Sequence, residues 1–136
     1  MQAEHLIDRA FWDTRNITMN TTQIQAKLAA FAQERDWDPF HTPKNLATAL
    51  MCEAGELAEI FQWMSGQESA TAMADPLIAE AIRDEVADVQ LYLLRLADKL
   101  NIDVEAAMVS KIAKNALKYP IEKSKGNAQK YSRRKE

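Results

Sequence analysis

A chain of 136 residues with three glycines, four prolines and a net charge of −3 has the length of one domain, and its wealth of alanine, leucine, glutamate and lysine favours helix almost throughout. Its single cysteine, Cys52, excludes an intrachain disulfide and a cysteine-based zinc centre. Residues 1–20 hold no long apolar stretch and carry Glu4 and Asp8, so they do not read as a signal peptide, and no apolar run reaches the roughly 18–20 residues of a membrane span; the expectation is a cytoplasmic protein with no membrane partner.

Residues 1–20 read as an N-terminal extension, in which Leu6, Ile7, Ala10 and Phe11 allow a short amphipathic helix. The helical domain is expected over 21–119. Thr22-x-x-Gln25 has the form of a capping box and opens a first helix with Ile24, Leu28 and Phe31 on one face, ending near Asp36. Thr42 followed by Pro43 opens a second helix. Its stripe is Leu46, Leu50, Leu57 and Phe61, and Ser65-Gly66 is expected to stop it. A polar loop runs to about Ala74. Asp75-Pro76 repeats the start signal, and Ile78, Ile82, Val86, Val89, Leu93, Leu96 and Leu100 keep a three-and-four spacing through a third long helix. Asp103 caps a fourth, with Val104, Met108 and Ile112 expected inward, and Tyr119-Pro120 ends it. No alternating strand pattern or hairpin turn is present. The fold class is all-α, a four-helix bundle. Both long helices are apolar on more than one face, more than a lone bundle needs, which predicts completion of the bundle by a second copy of the chain.

Charge is uneven along this frame. The tail, 120–136, carries a local +4 and the rest −7. An acidic body is unsuited to duplex nucleic acid and suits an acidic, cation-filled site whose anionic substrate is clamped by basic groups. The acids that matter come in two pairs, Glu53 with Glu56 and Glu85 with Asp88. Each pair is spaced three apart on a helix and so shares a face. They lie among apolar or small neighbours without basic partners. Gly55, costly inside a helix, implies a packing or ligand-access reason. Four carboxylates brought together repel one another unless a cation sits between them, and oxygen-only ligands suit Mg²⁺. Tyr92, four after Asp88, lies on the same face. Lys111, Asn115 and Tyr119, four apart in turn, line one polar face of the last helix as a triphosphate clamp. Glu-x-x-His motifs of the di-iron kind are absent.

Glu53-x-x-Glu56, then 28 residues, then Glu85-x-x-Asp88, resembles the signature of the all-α nucleoside triphosphate pyrophosphohydrolases, the MazG-like superfamily. The stretch from Glu34 through Trp37 and His41 to Leu46, the run Glu53–Trp63, Ser110–Asn115, Lys118–Pro120, Ser124–Gly126 and Lys130–Tyr131 are similar to its dCTP pyrophosphatase branch. The resemblance covers about Ile24 to Tyr131. It implies Mg²⁺-dependent cleavage between the α and β phosphates of a deoxynucleoside triphosphate, by a homo-oligomer that removes unwanted nucleotides. Glu53, Glu56, Glu85 and Asp88 are then the metal ligands and catalytic acids. Trp37 and Trp63 sandwich the base, with His41 and Tyr92 near base or sugar. Lys111, Asn115, Tyr119, Lys123, Lys125, Lys130 and Tyr131 hold the phosphates, the last four from the same or a neighbouring subunit. Phosphoribosyl-ATP pyrophosphohydrolase chemistry is a sibling alternative, disfavoured by the two tryptophans and the tail. One departure is Leu28, where the animal dCTP enzymes carry a histidine; it implies looser base selectivity, dATP being one further substrate. The competing expectation is a non-catalytic helical dimerisation module whose acids are plain surface.

Overall fold

The computed structural model describes residues 18–133. The amphipathic turn expected at Leu6–Phe11, most of the 1–20 extension and the last three residues of the tail lie outside them. Six helices follow in order: α1 (Thr21–Gln33), α2 (Pro43–Phe61), α3 (Gly66–Ala70), α4 (Pro76–Lys99), α5 (Val104–Lys118) and α6 (Ile121–Ser124), with single 3-10 turns at Asp38–Phe40, Ala72–Ala74 and Tyr131–Arg133. No strand occurs among the described residues.

The starts of these helices follow side-chain caps. Asn20, not Thr22, caps α1: its Oδ1 accepts from the Gln23 N–H at 2.9 Å, and Gln23 Oε1 accepts from the Asn20 N–H at 3.0 Å. The Gln25 amide, freed from the expected box, donates instead to the Leu94 carbonyl at 3.1 Å and ties α1 to α4. Thr42 and Asp75 cap α2 and α4 as expected, each with proline at the first helical position. Ser65 departs from expectation. α2 already ends at Phe61, and Ser65 starts α3 through a reciprocal pair with Glu68.

Two chain reversals fix the ends that matter. Asp36 and Asn101 both adopt φ of 53°, the left-handed conformation these two residue types tolerate. The Trp37 N–H then reaches back to the Ala32 carbonyl at 2.9 Å, and the Ile102 N–H to the Ala97 carbonyl at 2.9 Å.

α2 and α4 pack as an antiparallel hairpin: His41 faces Arg95 at one end, Glu53 meets Glu85 in the middle, and Ile60 and Ile78 share a groove at the other end. The buried apolar set is small, comprising Ala32, Leu46, Ala72, Ala79, Leu94 and Ala97. α5 adds nothing to it. Val104 is half-buried, but Met108 and Ile112, expected inward, are 51% and 69% exposed, and Val109 and Leu117 stand exposed beside them. Its first turn is tied to α1 by the Thr21 hydroxyl, which donates to Glu105 Oε1 at 2.6 Å. The apolar stripe is real; among the described residues, nothing covers it.

Candidate active site

The two long helices carry the acids to one place because each i,i+3 pair presents one face and the hairpin register sets those faces opposite each other. Glu53, Glu56 and Glu85 each offer a carboxylate oxygen, and all three oxygens lie within 4.8 Å of one another. Glu53 and Glu85 are half-buried and Glu56 is exposed. Glu85 Oε2 is buried without a hydrogen-bond partner. Among the described residues no ion pair reaches these acids. Burial, then the charges of Glu56, Asp88 and Glu85, raises the Glu53 carboxyl above its ordinary value; burial, then Glu56, Asp88 and Asp84, does the same to Glu85. Asp88 stands just outside the closest triad. It is near enough to raise both glutamates, and it lines an adjoining cavity. A crowd of unpaired oxygens with one orphaned atom matches the donor set of a hard divalent cation.

The Gly55 expectation is corrected on its packing side. A Cβ built there meets nothing within 4 Å, so no neighbour among the described residues requires the glycine.

Beside the acids, an open cavity of about 500 Å³ is lined by Met19, Ile24, Leu28, Phe31 and Leu91, with Lys27, Asp88, Tyr92 and Arg95 as its polar members. Tyr92 thus stands between acids and cavity; burial, then Glu53 and Asp88, pushes its phenol up. Trp37 packs edge-on to Phe31 with ring centroids 5.8 Å apart, and His41 lies 6.3 Å from Trp37, so both stand at the cavity end of the hairpin.

Trp63 does not join them. It follows the far end of α2, is 90% exposed, and lines a separate groove with Met64, Thr71 and Ile78. The nineteen residues of α2 span about 28 Å at 1.5 Å per residue. Within one chain Trp37 and Trp63 therefore stand at opposite ends of α2.

Lys111 and Asn115 are exposed on α5. At its end, Tyr119 meets Tyr131 edge-on at 5.9 Å, and Lys118 Nζ lies 5.0 Å from the Tyr131 ring centre. The basic tail turns back through Gly126, at φ 77°, and leaves Lys123, Lys125 and Lys130 exposed. Two of the expected phosphate-binding residues are thus joined, by ring contact.

Arg95 is the hub of the cavity end, a role that its place in the sequence does not announce. Its guanidinium donates to Asp38, Asp98 and His41, and Lys99 joins it on Asp38. Arg95-x-x-Asp98 was a legible i,i+3 pair; the partner across the turn, Asp38, left no local signal.

Residues 49–133 match the MazG-like family. Over 109 residues the chain is 44% identical to dCTP pyrophosphatase 1 of Rattus norvegicus and 40% identical to that of Homo sapiens. These matches take in 80% of this chain but 64% of each relative, so the chain spans just under two-thirds of the length of the curated relatives it matches. A crystal structure of a pyrophosphatase from Archaeoglobus fulgidus superimposes with a TM-score of 0.69 at 36% identity, over 76% of this chain and 95% of that one.

Proposed function

The chain belongs to the MazG-like family, and from that premise we propose that it is a Mg²⁺-dependent nucleoside triphosphate pyrophosphohydrolase, cutting the α–β phosphate bond of deoxynucleoside triphosphates to give the monophosphate and pyrophosphate. The observation that carries this reading is the convergence of Glu53, Glu56 and Glu85 within 4.8 Å around an unpartnered Glu85 oxygen. Relatives named for dCTP and a pyrophosphatase of the same fold support it.

In this reading Glu53, Glu56 and Glu85, with Asp88 beside them, hold the cation. Bound there, Mg²⁺ would offset phosphate charge, orient the triphosphate and acidify a water. A carboxylate of α2, Glu53 or Glu56, takes the proton of the attacking water. The apolar cavity walled by Leu28, Phe31 and Tyr92 receives the nucleoside, with Trp37 stacking on the base and His41 near it. Lys111, Asn115, Tyr119 and the tail residues Lys123, Lys125, Lys130 and Tyr131 neutralise the phosphates. The exposed lining of the cavity is mostly apolar, and Leu28 offers no hydrogen bond, so discrimination is by shape more than by base edge. The substrate range then extends from dCTP to dATP and modified deoxynucleotides, and the biological task is removal of unwanted triphosphates in the cytoplasm. The helical domain, 21–119, carries the acids, and the tail, 120–136, supplies the basic groups.

The working unit is a homo-oligomer. The exposed stripe of α5 and the thin core of a single chain support this, and a base held between Trp37 and Trp63 would need its second ring from another copy.

A panel tests the reading: purified protein, Mg²⁺, each natural and several modified deoxynucleoside triphosphates, with pyrophosphate and orthophosphate measured separately. Pyrophosphate release is expected. Orthophosphate alone means another bond is cut. No turnover, with Glu85→Ala no worse than the parent, leaves an inert dimerisation module.

A further inference from the structure

Arg95 is the buried charged side chain among the described residues, 5% exposed in the last turns of α4. Removing a guanidinium from water is costly unless its N–H groups are matched, and here they are matched across the fold. Nη2 donates to Asp38 Oδ1 at 2.6 Å, Nη1 to Asp98 Oδ2 at 2.6 Å, and Nε to His41 Nδ1 at 3.3 Å. Asp38 and His41 bracket the 3-10 turn that follows Trp37. The same arginine lines the cavity alongside Tyr92 and Asp88. One side chain is thus both cavity wall and fastening of the turn that carries Trp37 and His41.

The bond to His41 has a chemical consequence. Arginine can only donate, so Nδ1 must offer a lone pair, and the imidazole proton then sits on Nε2. Burial, then the charges of Arg95 and Lys99, holds His41 below its ordinary titration range, against the opposing pull of Asp38. We propose that Arg95 is a positioning residue for the nucleoside end of the substrate, fastening the Trp37–His41 turn to α4 and fixing His41 as a neutral donor at Nε2. The role rests on the nucleotide reading above and deepens it: Arg95 governs how the base is held, while the acids further along the hairpin govern cleavage.

The test uses full-length protein with Mg²⁺ and the deoxynucleotide the parent turns over best. Arg95→Met is the direct variant. Asp38→Ala, at an exposed position, removes the carboxylate that receives Arg95 and Lys99 without opening the core. Both are expected to raise KM about tenfold, on the scale of lost charge-assisted hydrogen bonds, with kcat changed less than about twofold. Arg95→Met combined with Asp38→Ala is expected to be little worse than Arg95→Met alone, because both cut the same contact. By NMR, the His41 imidazole (one of two histidines in the chain) is expected to titrate higher in Arg95→Met than in the parent. Additive losses in the double variant, a fall in kcat at constant KM, or an unmoved His41 titration overturns the role while the activity stands. A parent with no turnover at all overturns the activity itself.

Discussion

Glu53 on α2 and Glu85 on α4 put carboxylate oxygens within 4.8 Å of each other, and no basic group pairs with either among the described residues. Both are half-buried and both are held above the ordinary carboxylate value. Such an arrangement opposes folding unless a cation occupies it.

Removing one of these charges should therefore separate stability from activity. Glu85→Gln is expected to melt a few degrees higher than the parent in EDTA and to lose the stabilisation that Mg²⁺ plus nucleotide gives the parent by linkage. Pyrophosphate release should fall at least about a hundredfold, the scale of losing a group that acts on transition-state charge. Thermal melts with and without Mg²⁺, alongside turnover, read both.

The pH dependence follows from the same pair. Raised carboxyl values mean that the folded chain binds more protons than the unfolded chain between the ordinary 4.5 and the raised values. This contribution is full below pH 4.5 and is lost as the pH climbs through that window. Asp38 works oppositely: Lys99 first, then Arg95, holds it below 3.8 against the cost of burial, so its contribution is lost only as the pH falls below that value. In EDTA, the melting temperature of the parent relative to Glu85→Gln should decline from pH 4.5 upward, and excess Mg²⁺ should flatten the decline.

Trp37 and Trp63 give a test of shared sites. Trp37→Ala and Trp63→Ala are each expected to raise KM by about tenfold or more, in line with 1–3 kcal/mol of stacking per base. Mixing equal amounts of the two variants under conditions of subunit exchange should recover about a quarter of the parental activity, because half of the dimers are then mixed and one site of each mixed dimer holds both rings. No recovery would place the two tryptophans in separate roles.

A charge on the exposed face of α5 tests the proposed homo-oligomer. Ile112→Lys, at a position 69% exposed in the single chain, is expected to convert the oligomer to monomer by light scattering and to lower turnover with it. Retention of the parental mass would show that this face stays open to solvent.

How much of this was legible beforehand depends on the range of the interaction. Glu53, Glu56, Glu85 and Asp88 could be grouped because the i,i+3 rule acts within a helix and the two runs were long enough to pair. The start of α1 was misplaced by two residues because Asn20-x-x-Gln23 and Thr22-x-x-Gln25 satisfy the same capping pattern, and only the approach of Gln25 to Leu94 decides between them. Arg95 was invisible as an organiser, since its partner Asp38 lies in a distant turn. Met108 and Ile112 were read as inward because periodicity reports that a face is apolar, not which chain covers it.

The crowding of Glu53, Glu56 and Glu85 also bears on the lifetime of the protein. Chains starved of a divalent ion carry their own repulsion and open more often, which exposes them to proteases that ion-loaded chains resist. On the proposed reading, the lifetime of the protein would then follow the occupancy of its acidic site.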